Sequence, residues 1–325
     1  MRILVTGGAG FIGSCFVRHI LKKYADYKVI NLDALTYAGN IENLDDVKEN
    51  PNYTFVHGDI CDKKLVPLLV EQVDAVVNFA AESHVDRSIT GPEIFIETNV
   101  KGTLNLLQAA KQFKTQRYLQ VSTDEVYGSL GKTGYFTETT PLAPNSPYSA
   151  SKASADMLVR AYHETYKMPV LTTRCSNNYG PYQYPEKLIP FFISQLLKGE
   201  KVPVYGDGLN VRDWLYVYDH CAAIDTVLHK GRAGEVYNIG GHNEKTNMEI
   251  TRIILDAMGK DESSIKYVDD RLGHDKRYAI SNDKIQSELG WQPSLTFEEG
   301  IKLTIDWYLN NQEWIKHIEE KKCSI

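Results

Sequence analysis

The sequence predicts an α/β fold, a doubly wound parallel sheet with a smaller C-terminal α/β substrate lobe. Three observations point there. Short β-rich apolar runs alternate with helical patterns through the first half of the chain, the order that builds strand–helix–strand units. The first run leads straight into Thr6-Gly-Gly-Ala-Gly-Phe-Ile-Gly13, a cluster of glycines where a strand should turn into a helix. After about Asn177 the rhythm breaks, and Pro, Gly and Tyr concentrate over residues 177–190.

Strands are expected at residues 3–5, 29–32, 53–56, 75–79, 118–121 and 170–173, where apolar and β-branched side chains run together. Helices are expected between them. Residues 11–24 open after the glycines, and 63–72 are amphipathic. Residues 92–113 begin with Pro, whose missing N–H costs nothing at a helix start. Residues 148–166 carry apolar positions near 3.6 spacing. In the second half, 214–218 and 236–239 read as strands, and 250–258, 282–289 and 297–309 as helices. The expected division is a nucleotide-binding domain of residues 1–176 and about 213–242, with a lobe of about 177–212 and 243–325. The charged tail around 319–322 is expected to fray.

Composition narrows the function classes. Lys and Arg total 36 against 42 Asp and Glu, a net charge of −6. That balance disfavours a protein that wraps nucleic acid or coats an anionic membrane. The five cysteines, Cys15, Cys61, Cys175, Cys221 and Cys323, form no CxxC pair. A disulfide framework or zinc ribbon is therefore not expected, and a reducing compartment fits. No apolar run approaches the ~18 residues of a membrane span, and residues 2–5 are too short for a signal-peptide core. The expectation is a soluble cytoplasmic protein with no metal.

The glycines follow both GxGxxG (Gly8, Gly10, Gly13) and GxxGxxG (Gly7, Gly10, Gly13) spacing. They permit a tight turn and close approach of a pyrophosphate to a helix N-terminus. Ser14 stands where a P-loop needs its phosphate-binding Lys, so that motif is excluded. Asp33 ends the second run, 20 residues past Gly13, the place for a carboxylate on the adenosine ribose hydroxyls. Such a carboxylate repels a 2′-phosphate, so NAD is expected in a Rossmann-type site. Asp59, after the third run, either reaches the adenine or caps a helix. A glycine turn without ligand is the plain alternative.

Tyr148 and Lys152 are four apart on one helical face. A neighbouring ammonium is expected to lower the phenol pKa, making Tyr148 a base for a hydroxyl at which hydride leaves. The spacing recurs at Tyr24 and Lys28, but those straddle a helix end. A surface tyrosine with a solvated lysine is the competing reading of Tyr148–Lys152. The run 118–121 leads into Ser122-Thr-Asp-Glu125 at a strand's carboxyl end, where open parallel sheets bind ligands. Two carboxylates beside a redox site suggest a second proton transfer with one protonated acid and one ionised base, as water elimination needs. A turn cap at Asp124 and a solvated Glu125 are the alternative.

Taken together, Thr6–Gly13, Asp33, Ser122–Gly128 and Tyr148/Lys152 resemble the extended short-chain dehydrogenases/reductases that act on sugar nucleotides. Further blocks are Ala80-Ala-Glu-Ser-His-Val-Asp-Arg-Ser88, Arg174-Cys-Ser-Asn-Asn-Tyr-Gly-Pro181, Pro185-Glu-Lys-Leu-Ile-Pro190, Arg212-Asp-Trp-Leu-Tyr-Val217 and Asn238-Ile-Gly-Gly241. The likeness runs from residue 1 to about 310. It is greater to the family's 4,6-dehydratases than to its 4-epimerases, which usually lack the Asp-Glu pair after Thr. It implies dTDP-glucose as substrate, with UDP-glucose or 4-epimerisation as alternatives and a silent NAD-binding regulator as the non-enzyme alternative.

The resemblance also implies roles. Tyr148 deprotonates the glucose 4-hydroxyl, Lys152 holds the nicotinamide ribose, Thr123 binds the 4-oxygen, Glu125 takes the C5 proton and Asp124 protonates the leaving 6-hydroxyl. NAD would be held by Gly7, Gly10, Phe11, Ile12, Gly13, Asp33, Leu35, Thr36, Asp59, Ile60, Ala80, Ala81, Ser83, Thr98, Ser122 and Asn178, besides Tyr148 and Lys152. Substrate would meet Ser83, His84, Asn177, Lys187, Leu188, Pro203, Tyr205, Arg212, Asn247, Arg271 and His274, besides Thr123, Asp124 and Glu125. Leu272 stands where many relatives have Pro. The resemblance further implies a homodimer through the helices near 92–113 and 148–166, and a product that feeds deoxysugars such as rhamnose.

Overall fold

The computed structural model describes residues 1–270 and 274–322. Its strands are β1 (Arg2–Thr6), β2 (Lys28–Asp33), β3 (Tyr53–His57), β4 (Ala75–Asn78), β5 (Arg117–Thr123), β6 (Val170–Cys175), β7 (Asn177–Tyr179), β8 (Val202–Tyr205), β9 (Val211–Tyr216), β10 (Val236–Ile239), β11 (Glu244–Thr246) and β12 (Ile265–Val268). Seven of them form one wholly parallel sheet in the order β10-β6-β5-β4-β1-β2-β3. Sequence order reverses between β1 and β4, which opens a crevice beyond their carboxyl ends.

Both faces of that sheet are covered. Helices α1 (Phe11–Lys23), α2 (Leu65–Val70), α3 (Val85–Thr90), α4 (Glu93–Phe95), α5 (Thr103–Gln112) and α6 (Pro147–Tyr166) belong to the first half. In β1, Ile3 and Val5 pack with Phe16, Val17 and Ile20 of α1, while Leu4 packs on the opposite face with Leu106, Leu107 and Val159. The period-2 alternation of a strand thus feeds two separate cores. The expected helix over 92–113 is interrupted: Ile96–Gly102 winds as a π-helix between α4 and α5. Buried Asn99 sits in that wide turn. Its carboxamide accepts from Glu82 N (2.9 Å) and donates to Glu82 O (3.0 Å) and Ser151 Oγ (2.8 Å). These bonds give the extra residue of the turn a packing reason.

In the second half, α7 (Leu188–Leu197), α8 (Val217–Lys230), α9 (Asn247–Ala257), α10 (Asp283–Leu289), α11 (Phe297–Asn310) and α12 (Gln312–Lys322) follow. The strand expected at 214–218 lies earlier, at β9, and the chain turns into α8 at Val217. β9 pairs with β7 and β11 rather than joining the large sheet, and β8 pairs with β12. α8 returns to the large sheet, where Cys221, Ile224, Val227 and Leu228 share the α1 core. A separate core gathers Tyr179, Phe192, Trp214, Ile254, Phe297 and Trp314.

The tail does not fray as expected. α12 docks because Trp314 Nε1 donates to Asn43 Oδ1 (3.0 Å), Glu319 Oε1 accepts from Ser194 Oγ (2.7 Å) and Lys321 Nζ reaches Asn40 and Glu42. Charged side chains that look solvated in the sequence have partners far along the chain. Among the described residues, no helix is long and apolar enough to cross a membrane. Cys15, Cys61, Cys175 and Cys221 are free thiols.

Candidate active site

The crevice contains a cavity of about 320 Å³ that runs from the glycine turn to the end of β5. At its first end, Gly7 has φ +70°, and a Cβ there would stand 2.6 Å from Ala80 N. A Cβ on Gly13 would stand 2.2 Å from Gly7 O. The turn is therefore closed to side chains, and helix and strand meet backbone to backbone. Gly10 begins α1 with no side-chain cap, leaving first-turn N–H groups for a ligand. Asp33 is buried. Its Oδ2 accepts from Ala9 N and its Oδ1 from Leu35 N, both at 2.8 Å. Burial raises its pKa, and those two N–H groups oppose the rise.

At the second end, Thr123 closes β5 and its Oγ1 accepts from Glu125 N (3.3 Å), capping a short turn over Asp124–Tyr127. Asp124 is 1% exposed, and its Oδ2 has no hydrogen-bond partner. Burial, then the charges of Glu125 and Asp213, hold its pKa well above the usual carboxylate range. Ser146 and Ser149 form a capping box that starts α6, with Pro147 at its first position. That start aims Tyr148 and Lys152 at the cavity. The Lys152 ammonium donates to Val121 O (2.7 Å) and burial lowers its pKa.

One expectation reverses here. The Tyr148 phenol is not lowered by Lys152. Burial pushes it well above its ordinary value, and Glu125 and Cys175 push the same way. A dry site that faces carboxylates disfavours a phenolate more than a lysine bound elsewhere favours it. Burial also pushes the Cys175 thiol up to about 12, far from a nucleophile's range.

Of the residues expected around NAD, Gly7, Gly10, Phe11, Ile12, Gly13, Asp33, Thr36, Asp59, Ile60, Ala80, Ala81, Ser83, Thr98, Ser122, Tyr148, Lys152 and Asn178 all line the cavity. Leu35 does not; with φ +50° it bends the chain so that its N–H reaches Asp33. The residues present fit a dinucleotide. The glycine cradle suits a pyrophosphate, Asp33 suits ribose hydroxyls, and buried Ser122 Oγ lacks a partner on the cavity wall.

Of the expected substrate residues, Ser83, Thr123, Asp124, Glu125, Asn177 and Lys187 also line the cavity, and Lys187 Nζ donates to Ser83 O (3.1 Å). His84 stands beside it, 3.7 Å from Glu186, and Leu188 begins α7. The others lie outside the lining, in a second group. Tyr205 meets His274 edge to face, and His274 Nδ1 lies 2.6 Å from Asp270 Oδ1. Arg212 Nη2 donates to Asp275 O (2.9 Å), with its guanidinium 4.4 Å over the Tyr278 ring. Asn247 N donates to Asn210 O (3.0 Å), while Pro203 sits in β8 opposite Lys266. Arg271 and Leu272 lie outside the described residues. Glu82, Gln183 and Glu186 line the cavity without having been expected. Glu82 and Glu186 fall inside quoted family blocks, whereas nothing in the sequence marks Gln183.

The family described as GDP-mannose 4,6 dehydratase matches residues 4–304. The chain is 58% identical to a dTDP-glucose 4,6-dehydratase of Xanthomonas campestris pv. campestris over 97% of its own length and 95% of the relative's. It is similar to the solved structure of DesIV, a dTDP-glucose 4,6-dehydratase from Streptomyces venezuelae with NAD and dTDP bound. That match has a TM-score of 0.96 and 55% identity, covering 98% of this chain and 100% of the other. A Bacillus anthracis dTDP-glucose 4,6-dehydratase in complex with NAD matches with a TM-score of 0.92 and 57% identity, covering 98% and 99%. The glycine turn, the Tyr–Lys pair and the Asp–Glu pair thus sit in a fold shared over nearly the whole chain, and the chain belongs to the sugar-nucleotide 4,6-dehydratases of the extended short-chain dehydrogenase/reductase family.

Proposed function

We propose that this chain dehydrates dTDP-D-glucose to dTDP-4-dehydro-6-deoxy-D-glucose with NAD as its resident cofactor. One observation carries the reading: a single cavity joins the glycine turn, Tyr148–Lys152 and Asp124–Glu125. Bound there, NAD would supply an acceptor for the C4 hydride, a hydride donor for C6, and a positive charge near Tyr148 that favours its phenolate. Tyr148 receives the 4-hydroxyl proton. Thr123 hydrogen-bonds the 4-oxygen and polarises the ketone that forms there. The ketone acidifies C5, and Glu125 takes that proton and gives it back to C5 once C6 has been reduced. Asp124, raised well above the usual carboxylate range, gives a proton to the departing 6-hydroxyl, so one water leaves.

The lobe built on the β7–β9–β11 and β8–β12 sheets receives the substrate's nucleotide, with Lys187 and Arg212 as its cations. The protein works in the cytoplasm as a homodimer. The flank of α4–α6 that would pair exposes Ile94 (51%), Ile96 (45%), Met157 (47%) and Tyr166 (50%), more apolar area than one isolated side chain leaves in water.

The test is a product assay on protein that elutes at about twice 36.8 kDa by light scattering. With dTDP-glucose we expect loss of one water and a 4-keto-6-deoxy sugar by mass and NMR, with much slower turnover of UDP-glucose. Formation of dTDP-galactose would assign 4-epimerisation instead. No conversion of either sugar by NAD-loaded protein would overturn the reading.

A further inference from the structure

One buried titratable side chain has no part in the mechanism above. His220 in α8 is fully buried, and its Nδ1 lies 2.8 Å from Asn178 Oδ1. Burial pushes its imidazole down to about 3, so the ring is neutral and carries one proton. The neighbours decide which nitrogen holds it. Asn178 Nδ2 donates to Ser176 O (3.0 Å), which turns Oδ1 toward His220. An oxygen there must accept, so Nδ1 carries the hydrogen. Nε2 is bare, with no partner in its surroundings. An apolar side chain would fill that space without an unmatched nitrogen, so the ring's one bond is its distinguishing contribution.

That bond ends on a residue of the cavity wall. Asn178 lines the cavity between Asn177 and the Cys175 thiol, which its side chain also contacts. Its backbone oxygen accepts from Gln183 Nε2 (2.8 Å). The carboxamide is gripped at both ends: Ser176 O accepts an N–H from Nδ2, and the His220 Nδ1–H meets Oδ1, so a turned-over amide would set its oxygen against Ser176 O and lose the bond His220 gives it. His220 itself does not line the cavity.

We propose that His220 is a positioning residue that steadies the Asn178 carboxamide from its oxygen side while Ser176 O holds its nitrogen, so that Asn178 keeps an N–H and not an oxygen toward the bound dinucleotide. The inference rests on the reading that this cavity holds NAD. It predicts that cofactor retention depends on a donor at position 220 although position 220 touches no cofactor.

The experiment uses the full-length holoprotein and measures the rate at which bound NAD exchanges with free labelled NAD, with KM and kcat for dTDP-glucose measured alongside. His220→Phe keeps a ring and removes the donor. It should release NAD roughly tenfold faster, the effect of one hydrogen bond. His220→Asn places an amide N–H near the position of Nδ1 and should recover most of the loss. In an Asn178→Ala background, His220→Phe should add nothing, because coupled residues are not additive. If the phenyl variant does not fold, His220→Leu replaces it in the same cycle. Wild-type retention in His220→Phe, or an equal further loss in the Asn178→Ala background, would overturn the inference. Failure of the wild type to hold NAD at all would instead overturn the function proposed above.

Discussion

Asp124 and Glu125 are consecutive, but they meet different surroundings. Asp124 is enclosed, while Glu125 is half-exposed to the cavity. Burial and the nearby charges of Glu125 and Asp213 raise Asp124 well above the usual carboxylate range, which suits Asp124 to the acid's part and leaves the base's part to its neighbour. Exchange of both for amides keeps their shapes and removes both proton functions. Asp124→Asn/Glu125→Gln should slow water loss by roughly 10²–10⁴-fold. Formation of reduced nicotinamide on adding substrate should persist, because Tyr148 and Lys152 are untouched. Water loss at the normal rate in that variant would remove the two carboxylates from their roles. The resemblance assigns the acid role to Asp124; the carboxylate pair itself was legible from residue type and place at a strand end. The direction of the Tyr148 shift was not, because it depends on how dry the site is and on which acceptor Lys152 finds.

Local signals decide part of what a sequence reveals. The helices expected at α6, α9 and α11 each begin with a capping box, at Ser146/Ser149, Thr246/Glu249 and Thr296/Glu299, whereas α1 and α10, also expected, begin with no side-chain cap and were legible from the preceding glycines and the apolar spacing. α7 and α8 begin at Lys187 and Tyr216 with no side-chain cap. α8 also opens with Val-Tyr, residues that favour strands, so it passes for the end of β9. The π turn at Ile96–Gly102 carries no local mark, since its cause is Asn99 reaching Glu82 and Ser151.

The contact of α8 with α1 has a consequence of its own at this scale. Buried Asp225 receives His19 Nε2 (2.9 Å) and Lys23 Nζ (2.6 Å) from α1, Tyr24 OH (3.1 Å) from the residue that follows it, and His229 Nδ1 (2.8 Å) from its own helix. Burial opposes its charge, but the bonds from His19, His229 and Lys23 outweigh burial and hold Asp225 far below the ordinary 3.8. The bond to Asp225 holds His229 above 6.5. A depressed carboxylate gives stability that is present above about pH 4 and is lost on acidification below it. A raised histidine gives stability that is present below about pH 6.5 and is lost as pH climbs through its folded value. The α1–α8 contact should therefore be strongest between those limits. Asp225→Asn should lower the melting temperature by about 3–5 °C at pH 6. It should also flatten the decline expected of the wild type as pH rises above about 6.5. An unchanged slope would show that His229 does not answer to Asp225.

Over the whole molecule, the last helix reaches the first turn. Trp314 Nε1 donates to Asn43 Oδ1 (3.0 Å), Asn43 Nδ2 donates to Ala9 O (2.9 Å), and Ala9 N donates to Asp33 Oδ2 (2.8 Å). Three bonds thus connect α12 to the glycine turn and to the carboxylate expected on the ribose. None of this was legible: residue 314 lies 271 positions from Asn43, and a charged terminal segment has no local feature that requires a partner. Trp314 also packs against Trp307, Tyr308 and Tyr182, so its removal leaves a cavity as well as a lost bond. Trp314→Ala should cost about 3–5 kcal/mol. Trp314→Phe keeps much of the ring packing and should cost about 1 kcal/mol for the bond. The two variants separate packing from the bonded chain to Ala9. If that chain steadies the turn, Trp314→Phe should release NAD faster than the wild type while its melting temperature barely moves. Equal NAD release in Trp314→Phe and the wild type would leave α12 a role in stability alone.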